Sequence, residues 1–201
     1  MKDVFVTQAV HVLKKGGVVL FPTETAYGLA ADATNIKAVK RIFDIKGREE
    51  TQTPPLIVAD FHMASTYVEW TPLLRQLART HWPGPLTISI KGKKKNSLAK
   101  NVIRDDGTIG IRVSSHPVAQ KLSAGLGKPI VATSANIHGQ PNCYSVKAAM
   151  RQFLLKGLLP DAFIDVGIIP KRLPSTIVAE QNGKIFLLRK GSMRIKKSFF
   201  G

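Results

Sequence analysis

A lysine and an arginine two residues apart, Lys46 and Arg48, lie where a predicted helix ends. Apolar residues recur at helical spacing across 36–43, and Gly47 is a typical helix stop. The apolar run 56–59 after the next loop predicts a buried strand. Arginine offers a planar fork of donors and lysine a point charge, so this pair can clamp an anion beside a sheet. A solvated basic helix end that offsets the helix macrodipole is the alternative.

Two loops rich in hydroxyl groups each follow a predicted buried strand. The loop 22–28 contains Thr25, and the loop 133–136 contains Ser134 and Asn136. Ligands of open α/β sheets gather at strand ends. These loops therefore favour hydrogen bonds to a phosphate or carboxylate, although ordinary turn chemistry explains the first loop equally well.

An arginine, Arg112, interrupts the otherwise apolar predicted strand 108–113. Burying an unpaired guanidinium is costly. We therefore expect the Arg112 side chain to point into a polar cavity or to pair with an acid.

The chain is strongly basic, with 30 Lys and Arg residues against 13 Asp and Glu and a formal net charge of +17. Such a charge indicates attraction to polyanions such as nucleotides or RNA. The segment 91–104 carries six of these cations and no acid. It is either a solvated loop or a contact for RNA phosphates, and its lack of aromatic residues predicts little sequence specificity.

Cysteine content and hydropathy limit where the protein acts. The single cysteine, Cys143, excludes an intramolecular disulfide and favours a reducing compartment. No apolar run approaches the ~20 residues that a membrane-spanning helix requires. A cytosolic protein without a membrane partner is expected.

Helical and strand patterns alternate along the chain, which predicts an α/β fold with parallel strand pairing. Asn182-Gly183 predicts a closing hairpin and therefore a mixed sheet. The run 86–91 alternates apolar and polar residues, the pattern of a half-exposed strand. No repeat or linker divides the chain, so one domain over 1–191 and a basic, mobile tail over 192–201 are predicted.

Several common kinds of active site are not indicated. The chain has no phosphate-binding loop, no dinucleotide-binding glycine motif and no nucleophile elbow around Ser134. Its five histidines show no metal-ligand spacing, and Cys143 has no Cys-x-x-Cys partner. The remaining chemistry is electrostatic positioning of an anionic ligand by cations and hydroxyls, as in phosphoryl or nucleotidyl transfer.

The order and spacing of several motifs resemble the YrdC/TsaC family of threonylcarbamoyl-AMP synthases, over about residues 5 to 191. The motifs are Phe21-Pro22-Thr23-Glu24-Thr25-Ala26-Tyr27-Gly28-Leu29, Lys46-Gly47-Arg48, Trp82-Pro83-Gly84-Pro85-Leu86-Thr87, Ile111-Arg112-Val113, Thr133-Ser134-Ala135-Asn136 and Leu188-Arg189-Lys190-Gly191. The resemblance implies a twisted mixed sheet flanked by helices, with a basic concave cavity, of the short single-domain type.

The same resemblance implies an activity. Members of this family join L-threonine, bicarbonate and ATP, with Mg²⁺, into threonylcarbamoyl-AMP and pyrophosphate. Downstream transferase proteins then carry the threonylcarbamoyl group to adenosine 37 of tRNA, and direct binding of tRNA or another RNA is open.

The resemblance assigns roles to nine residues and assigns no protein ligand for a metal. The residues implied to bind ATP are Lys46, Arg48, Thr108, Ser134, Asn136 and Arg189, of which Lys46 and Arg48 are also implied to be catalytic. The residues implied to surround threonine are Thr25, Arg112 and Ser175. The chain departs from many longer members at Pro54 and Ala59, and it carries two acids, Glu49 and Glu50, beside the proposed phosphate clamp.

Two other functions are compatible with these residues. One is a non-catalytic RNA-binding maturation factor that uses the basic segment 91–104. The other is a related carbamoyl-transfer enzyme whose acceptor is not threonine.

Overall fold

A nine-stranded mixed sheet with helices on both faces forms the described part of the chain. The computed structural model describes residues 2–47, 49, 52–196 and 199. The strands are β1 Val19–Pro22, β2 Tyr27–Asp32, β3 Leu56–Val58, β4 Leu86–Lys91, β5 Thr108–Val113, β6 Ile130–Ser134, β7 Ala162–Phe163, β8 Thr176–Gln181 and β9 Lys184–Arg189. The helices are α1 Lys2–Lys14, α2 Ile36–Lys46, α3 Phe61–Tyr67, α4 Pro72–His81, α5 Pro117–Leu126 and α6 Val146–Leu154, with a short 3₁₀ turn at Lys100–Val102.

The strand order is β7-β1-β2-β6-β3-β5-β4-β8-β9. The pairs β1–β7, β3–β5 and β4–β8 are parallel, and the other neighbours are antiparallel. The prediction of an α/β fold with a mixed sheet is confirmed. Antiparallel pairing also runs through the centre of the sheet, whereas the sequence indicated it only at the Asn182-Gly183 hairpin between β8 and β9.

Two elements were absent from the sequence prediction. Strand β2 is buried along its whole length, so its small residues show no alternation of apolar and polar types. It is held between β1 and β6 by antiparallel pairing on both sides. Helix α3 has only seven residues, and the Asp60 side chain accepts a hydrogen bond from the Met63 N–H at its start. The missing alternation in β2 and the shortness of α3 leave no periodicity from which either element could be predicted.

The core lies on both faces of the sheet, because side chains alternate between the faces of each strand. Leu56 and Val58 belong to the larger apolar cluster, which α2 and α4 cover. Ile57 between them belongs to the smaller cluster, which is formed with α1 and α5. The site described below occupies the part of this second face that those two helices leave open.

The prediction that 86–91 is half-exposed was wrong for its polar residues. Thr87 and Ser89 are buried, and only Lys91 of this strand is exposed. The Thr87 hydroxyl lines a polar cavity, and the Ser89 hydroxyl accepts a hydrogen bond from Arg104, so neither faces bulk solvent. Alternation in a sequence does not distinguish such residues from exposed ones.

Described residues near the end of the chain contact the rest of the fold. The Met193 backbone N–H and C=O both hydrogen-bond to the Thr176 hydroxyl, and Phe199 packs against His81. The division into a domain over 1–191 and a tail over 192–201 stays a prediction.

Among the described helices, none combines the length and apolarity needed to cross a bilayer.

Candidate active site

A polar cavity of about 390 Å³ lies on the face of the sheet that α1 and α5 leave open. Its floor consists of alternate residues from neighbouring strands, as the two-residue period of a strand requires. These floor residues are Gly28 of β2, Ala132 and Ser134 of β6, Gly110 and Arg112 of β5, Thr87 of β4, Ile177 of β8 and Arg189 of β9. Gly110 lies in the middle of this row, where the missing side chain leaves open space.

Strand register defines one end of the cavity. Leu56 of β3 pairs with both Ile111 of β5 and Val131 of β6. Because β5 is parallel and β6 antiparallel to β3, Thr108 and Ser134 both lie on the same side of these paired residues, toward the end of the sheet at which β3 begins. Each is three residues along its strand, which is about 10 Å. We call this side, with Thr108 and Ser134, the edge end.

The opposite side of the cavity, with Arg112 and Thr87, is the inner end. Ile111 of β5 pairs with Ile88 of β4, and these two strands are antiparallel. Arg112, which follows Ile111, and Thr87, which precedes Ile88, therefore lie on the same side of that pair. The Thr87 hydroxyl lies 2.9 Å from the Ser175 hydroxyl. A guanidinium and two hydroxyl groups therefore line the inner end.

Arg112 is held by a buried ion pair. Its Nη1 donates to Glu24, whose other oxygen accepts from the Ser114 hydroxyl, and both charged side chains are 7% exposed. Burial lowers the pKa of the Arg112 guanidinium, and the negative charge of Glu24 opposes that shift. The structure thus combines the two alternatives expected from the sequence, since Arg112 lines a polar cavity and pairs with an acid.

A tight turn after β1 fixes Glu24 and Thr25. The Thr23 hydroxyl accepts from the backbone N–H groups of Thr25 and Ala26 at 3.2 Å and donates to the Ala26 carbonyl at 2.6 Å. It also lies 3.1 Å from the Thr25 hydroxyl. Thr25 therefore lines the cavity while Glu24 reaches Arg112.

Lys46 lies at the end of α2, which starts at an Asn35 cap and ends at Gly47 with φ 58°. It is 3% exposed. Its Nζ donates to the Ser134 carbonyl, to the Asn136 carbonyl at 2.7 Å and to Asn136 Oδ1 at 3.2 Å. The ammonium group thus ties α2 to the loop after β6, directly behind Ser134.

Arg189 and Ser175 form the wall on the β8–β9 side. The Arg189 Nη2 donates to the Ser175 carbonyl at 2.9 Å and hydroxyl at 3.0 Å, and Nε donates to the same carbonyl at 3.1 Å. Burial lowers the pKa of Arg189, and the positive charge of Arg112 lowers it further. Two guanidinium groups are close enough to repel each other, so an anion between them would be stabilised.

The structure brings most of the predicted residues together. Those that line the cavity are Thr25, Arg112, Ser134, Ser175 and Arg189. Lys46 and Asn136 are buried behind Ser134, and Thr108 is joined to the wall residue Arg104 by a 3.4 Å hydrogen bond. Arg48 lies outside the described residues, as does Glu50, so the predicted clamp is described only through Lys46. The binding roles of all nine residues stay predictions.

Sequence reasoning missed three residues that shape the site. Glu24 was noted only as part of a motif, Thr87 only as the polar half of an alternating strand, and Arg104 only as one cation of a basic segment. A signal for Thr87 was present, because a hydroxyl on the polar face of a central strand needs a polar space to face. No sequence signal distinguished Arg104 from the neighbouring lysines.

Fold and site together define an α/β protein with an arginine- and hydroxyl-lined cavity suited to anionic ligands. The Sua5/YciO/YrdC family model, described as "Telomere recombination", matches residues 11–191. The chain belongs to this family.

Three proteins are similar to this chain over most of its length. A Vibrio vulnificus protein named threonylcarbamoyl-AMP synthase is 39% identical over 148 residues, which is 72% of this chain and 78% of that protein. A Methanocaldococcus jannaschii protein named putative threonylcarbamoyl-AMP synthase is 34% identical over 182 residues, which is 90% and 83% of the two chains. Sua5 from P. abyssi, crystallised in complex with L-threonine, is 32% identical with a TM-score of 0.84 over 92% of this chain. The match spans 54% of that Sua5 chain.

Proposed function

We propose that this protein is an L-threonylcarbamoyladenylate synthase, a nucleotidyltransferase that forms threonylcarbamoyl-AMP and pyrophosphate from L-threonine, bicarbonate and ATP. The observation that carries the proposal is the cavity itself. Among the described residues, Arg104, Arg112 and Arg189 line it, and the carboxylate of Glu24 pairs with Arg112. The names of the two relatives and the L-threonine bound to P. abyssi Sua5 support the same reaction.

Threonine would occupy the inner end. The Arg112 guanidinium can bind a carboxylate in addition to Glu24, because a guanidinium has five N–H donors. The hydroxyl groups of Thr25, Thr87 and Ser175 provide hydrogen-bond partners for the amine and hydroxyl of the substrate. This role for Arg112 gives a reason for placing a charged side chain inside a central strand.

The nucleotide would occupy the remaining length of the cavity. Ser134 at the edge end is available to its phosphates. Arg189, which donates to the Ser175 hydroxyl at the inner end, is available where the nucleotide meets threonine. Lys46, and Arg48 after it, would contribute positive charge from the end of α2. A cavity of about 390 Å³ lies in the ordinary range for small-molecule sites, roughly 300–1,000 Å³.

The proposed reaction depends on positioning and charge. The threonine amine adds to CO₂ and releases a proton to give a carbamate. With bicarbonate, the C–OH bond breaks as the C–N bond forms, and the hydroxide leaves with the amine proton as water. A carbamate oxygen then attacks the α-phosphorus of ATP, and the bond to the leaving pyrophosphate breaks. Both reactants are anionic, so the arginines offset their repulsion while the walls hold them in line.

We expect Mg²⁺ to enter this site as a companion of ATP. The described residues contain no group of three His, Cys, Asp or Glu side chains that could hold a metal ion. Mg²⁺ commonly binds through substrate phosphates, one or two carboxylates and water. When bound with ATP, it would neutralise phosphate charge and leave the protein to orient both reactants.

The product would pass to downstream transferase proteins that modify adenosine 37 of tRNA in the cytoplasm. The exposed lysines of the segment 91–104 are available to RNA phosphates. Such contact would accompany catalysis, since the relatives and the threonine complex favour a catalytic protein over a purely RNA-binding one.

The test is release of pyrophosphate from ATP, Mg²⁺ and bicarbonate with and without L-threonine. We expect threonine-dependent release that is lost in Lys46→Ala. Equal release with serine or alanine would indicate another acceptor. Absence of threonine dependence in folded, ATP-binding protein would reject the proposal.

A further inference from the structure

Arg104 is held rigidly at the cavity wall by its neighbours. Its Nη1 donates to the Ser89 hydroxyl at 3.0 Å and to the Thr108 hydroxyl at 3.4 Å. Its backbone N–H donates to the Thr108 carbonyl at 2.9 Å, and its carbonyl accepts from Gly107 at 2.8 Å. Both the backbone and the guanidinium are therefore fixed before any ligand arrives.

The Arg104 charge faces the cavity without a carboxylate bonded to it. Among the described residues, the side-chain partners of Arg104 are the two hydroxyls, both on Nη1. The nearby Asp106 carboxylate instead accepts from Thr108, from its N–H at 2.8 Å and its hydroxyl at 2.6 Å. Those hydrogen bonds lower the pKa of Asp106, with smaller contributions from Lys91 and Arg104. The guanidinium thus keeps donors for an anion.

The register sets which ligand group this charge can meet. Ser89 pairs with Gly110, and Thr108 lies one further step toward the edge on the same face of β5. The Arg104 guanidinium therefore lies on the edge side of Gly110, away from Arg112 at the inner end. Gly110, which is level with Ser89, and Thr108 are two and four residues from Arg112, roughly 7 and 13 Å along the strand. Arg104 therefore faces a part of the cavity beyond the group that Arg112 would bind.

We propose that Arg104 is a binding residue for the phosphate chain of the nucleotide, held in place by Ser89. The proposal rests on the proposed function for the identity of the nucleotide, but the chemistry that it needs is only that of a phosphate or pyrophosphate anion. Arginine forks match phosphate oxygens well. Because negative charge grows on the leaving pyrophosphate, a donor fixed at this point stabilises it as the bond breaks.

The first measurement is calorimetric binding of inorganic pyrophosphate, ATP and L-threonine to Arg104→Gln. Lys100→Ala is the matched control, because it removes one exposed cation from the same segment. We expect Arg104→Gln to weaken pyrophosphate and ATP binding about 10- to 100-fold, the usual worth of a hydrogen bond to a charged group. Threonine binding should change by less than about threefold, and Lys100→Ala should resemble the wild type.

Two further variants separate charge from position. Arg104→Lys keeps the charge without the fork and should recover part of the lost pyrophosphate affinity. Ser89→Ala keeps Arg104 but removes the closer of the two hydroxyl partners of Nη1, so it should weaken pyrophosphate binding by less than Arg104→Gln does. A Ser89→Ala effect that is absent in the Arg104→Gln background would show that Ser89 acts through Arg104.

Three results would overturn the proposal. The first is that the wild type binds neither pyrophosphate nor ATP. The second is that Arg104→Gln and Lys100→Ala bind pyrophosphate with equal affinity. The third is that Arg104→Gln loses as much affinity for threonine as for pyrophosphate. The proposed function fails separately. Selective pyrophosphate binding through Arg104 without threonine-dependent turnover would keep this anion site and reject the synthase. Threonine-dependent turnover that is insensitive to Arg104→Gln would keep the synthase and reject the proposed role of Arg104.

Discussion

Arg112 is the residue at which burial and charge conflict most directly. Its side chain is 7% exposed, and a buried cation without a partner would cost several kcal/mol. Glu24 offsets that cost, and Ser114 holds the second oxygen of Glu24. The pair leaves the remaining Arg112 donors available at the cavity wall. Stability and ligand binding are therefore coupled at this one side chain.

Replacing Glu24 by glutamine keeps the size of the side chain and removes its charge. We expect Glu24→Gln to lower the free energy of unfolding by about 3 kcal/mol, because Arg112 then lacks its counterion. For a chain of this size, that corresponds to a fall in Tm of roughly 6–12 °C. Since the carboxylate of threonine can supply the missing charge, L-threonine should raise the Tm of the variant more than that of the wild type.

Thermal unfolding with and without ligand tests this prediction. Threoninamide, which has no carboxylate, should give no extra stabilisation of Glu24→Gln. Arg41→Ala is the protein control, since the Arg41–Asp161 pair is 43% and 34% exposed and should contribute less than about 1 kcal/mol. An equal threonine shift in the variant and the wild type would contradict the role of Arg112 in carboxylate binding.

At the scale of elements, the site depends on where helices and strands end. Helix α2 stops at Gly47, whose left-handed conformation lets its N–H donate to carbonyls of the last turn. This stop fixes Lys46 against the loop after β6. On the other side, the chain after β9 returns against 174–176, which carries Ser175.

Gly47→Ala tests the first of these ends. An alanine at φ 58° should cost about 1–2 kcal/mol of stability and shift the helix end that positions Lys46. Because small displacements of positioning groups have large effects, we expect kcat/KM for pyrophosphate release to fall by about tenfold or more. Gly157→Ala imposes a similar strain at φ 69° in an open turn, so it should reduce stability but leave kcat/KM unchanged. Equal kinetic effects of the two variants would disprove the link between this cap and the site.

Gly191→Ala tests the second end. A Cβ on Gly191 would stand too close to backbone atoms of Pro174, Ser175 and Thr176, so the backbone itself must move. We predict a loss of about 1–3 kcal/mol in unfolding free energy, together with a higher KM for threonine, because Ser175 moves. Phe186→Ala removes an exposed side chain from β9, the strand that precedes Gly191, and should not change that KM. An unchanged threonine KM in Gly191→Ala would argue against Ser175 as a substrate contact.

In the whole molecule, most elements have a clear apolar pattern in the sequence, as in β5, and helices such as α4 also have a recognisable cap. The sequence therefore predicts the mixed α/β fold. It fails at β2, where burial on both faces removes the alternation, and at the short helix α3. In the site, Arg112 could be predicted because a cation in an apolar strand must have a partner. Arg104 could not, since its position depends on a register that only the folded sheet defines.

The net charge of +17 is a property of the whole surface and gives a separate prediction. If the segment 91–104 contacts RNA phosphates, affinity for RNA should fall steeply with salt. Removing the charges of Lys93, Lys94 and Lys95 should make the negative slope of log K against log salt shallower by about two to three. Threonine-dependent turnover should stay intact. Filter binding at several salt concentrations measures this slope, and an unchanged slope would remove these lysines from any RNA contact.

Identification of the product by mass spectrometry would show whether the protein joins threonine, bicarbonate and ATP. The protein would be incubated with ATP, Mg²⁺, L-threonine and ¹³C-bicarbonate, with Lys46→Ala as the control. We expect an adenylate that contains threonine and a single ¹³C atom, formed in parallel with pyrophosphate and lost in the variant. Finding only unlabelled AMP, or an adenylate that lacks the bicarbonate carbon, would contradict the proposed function.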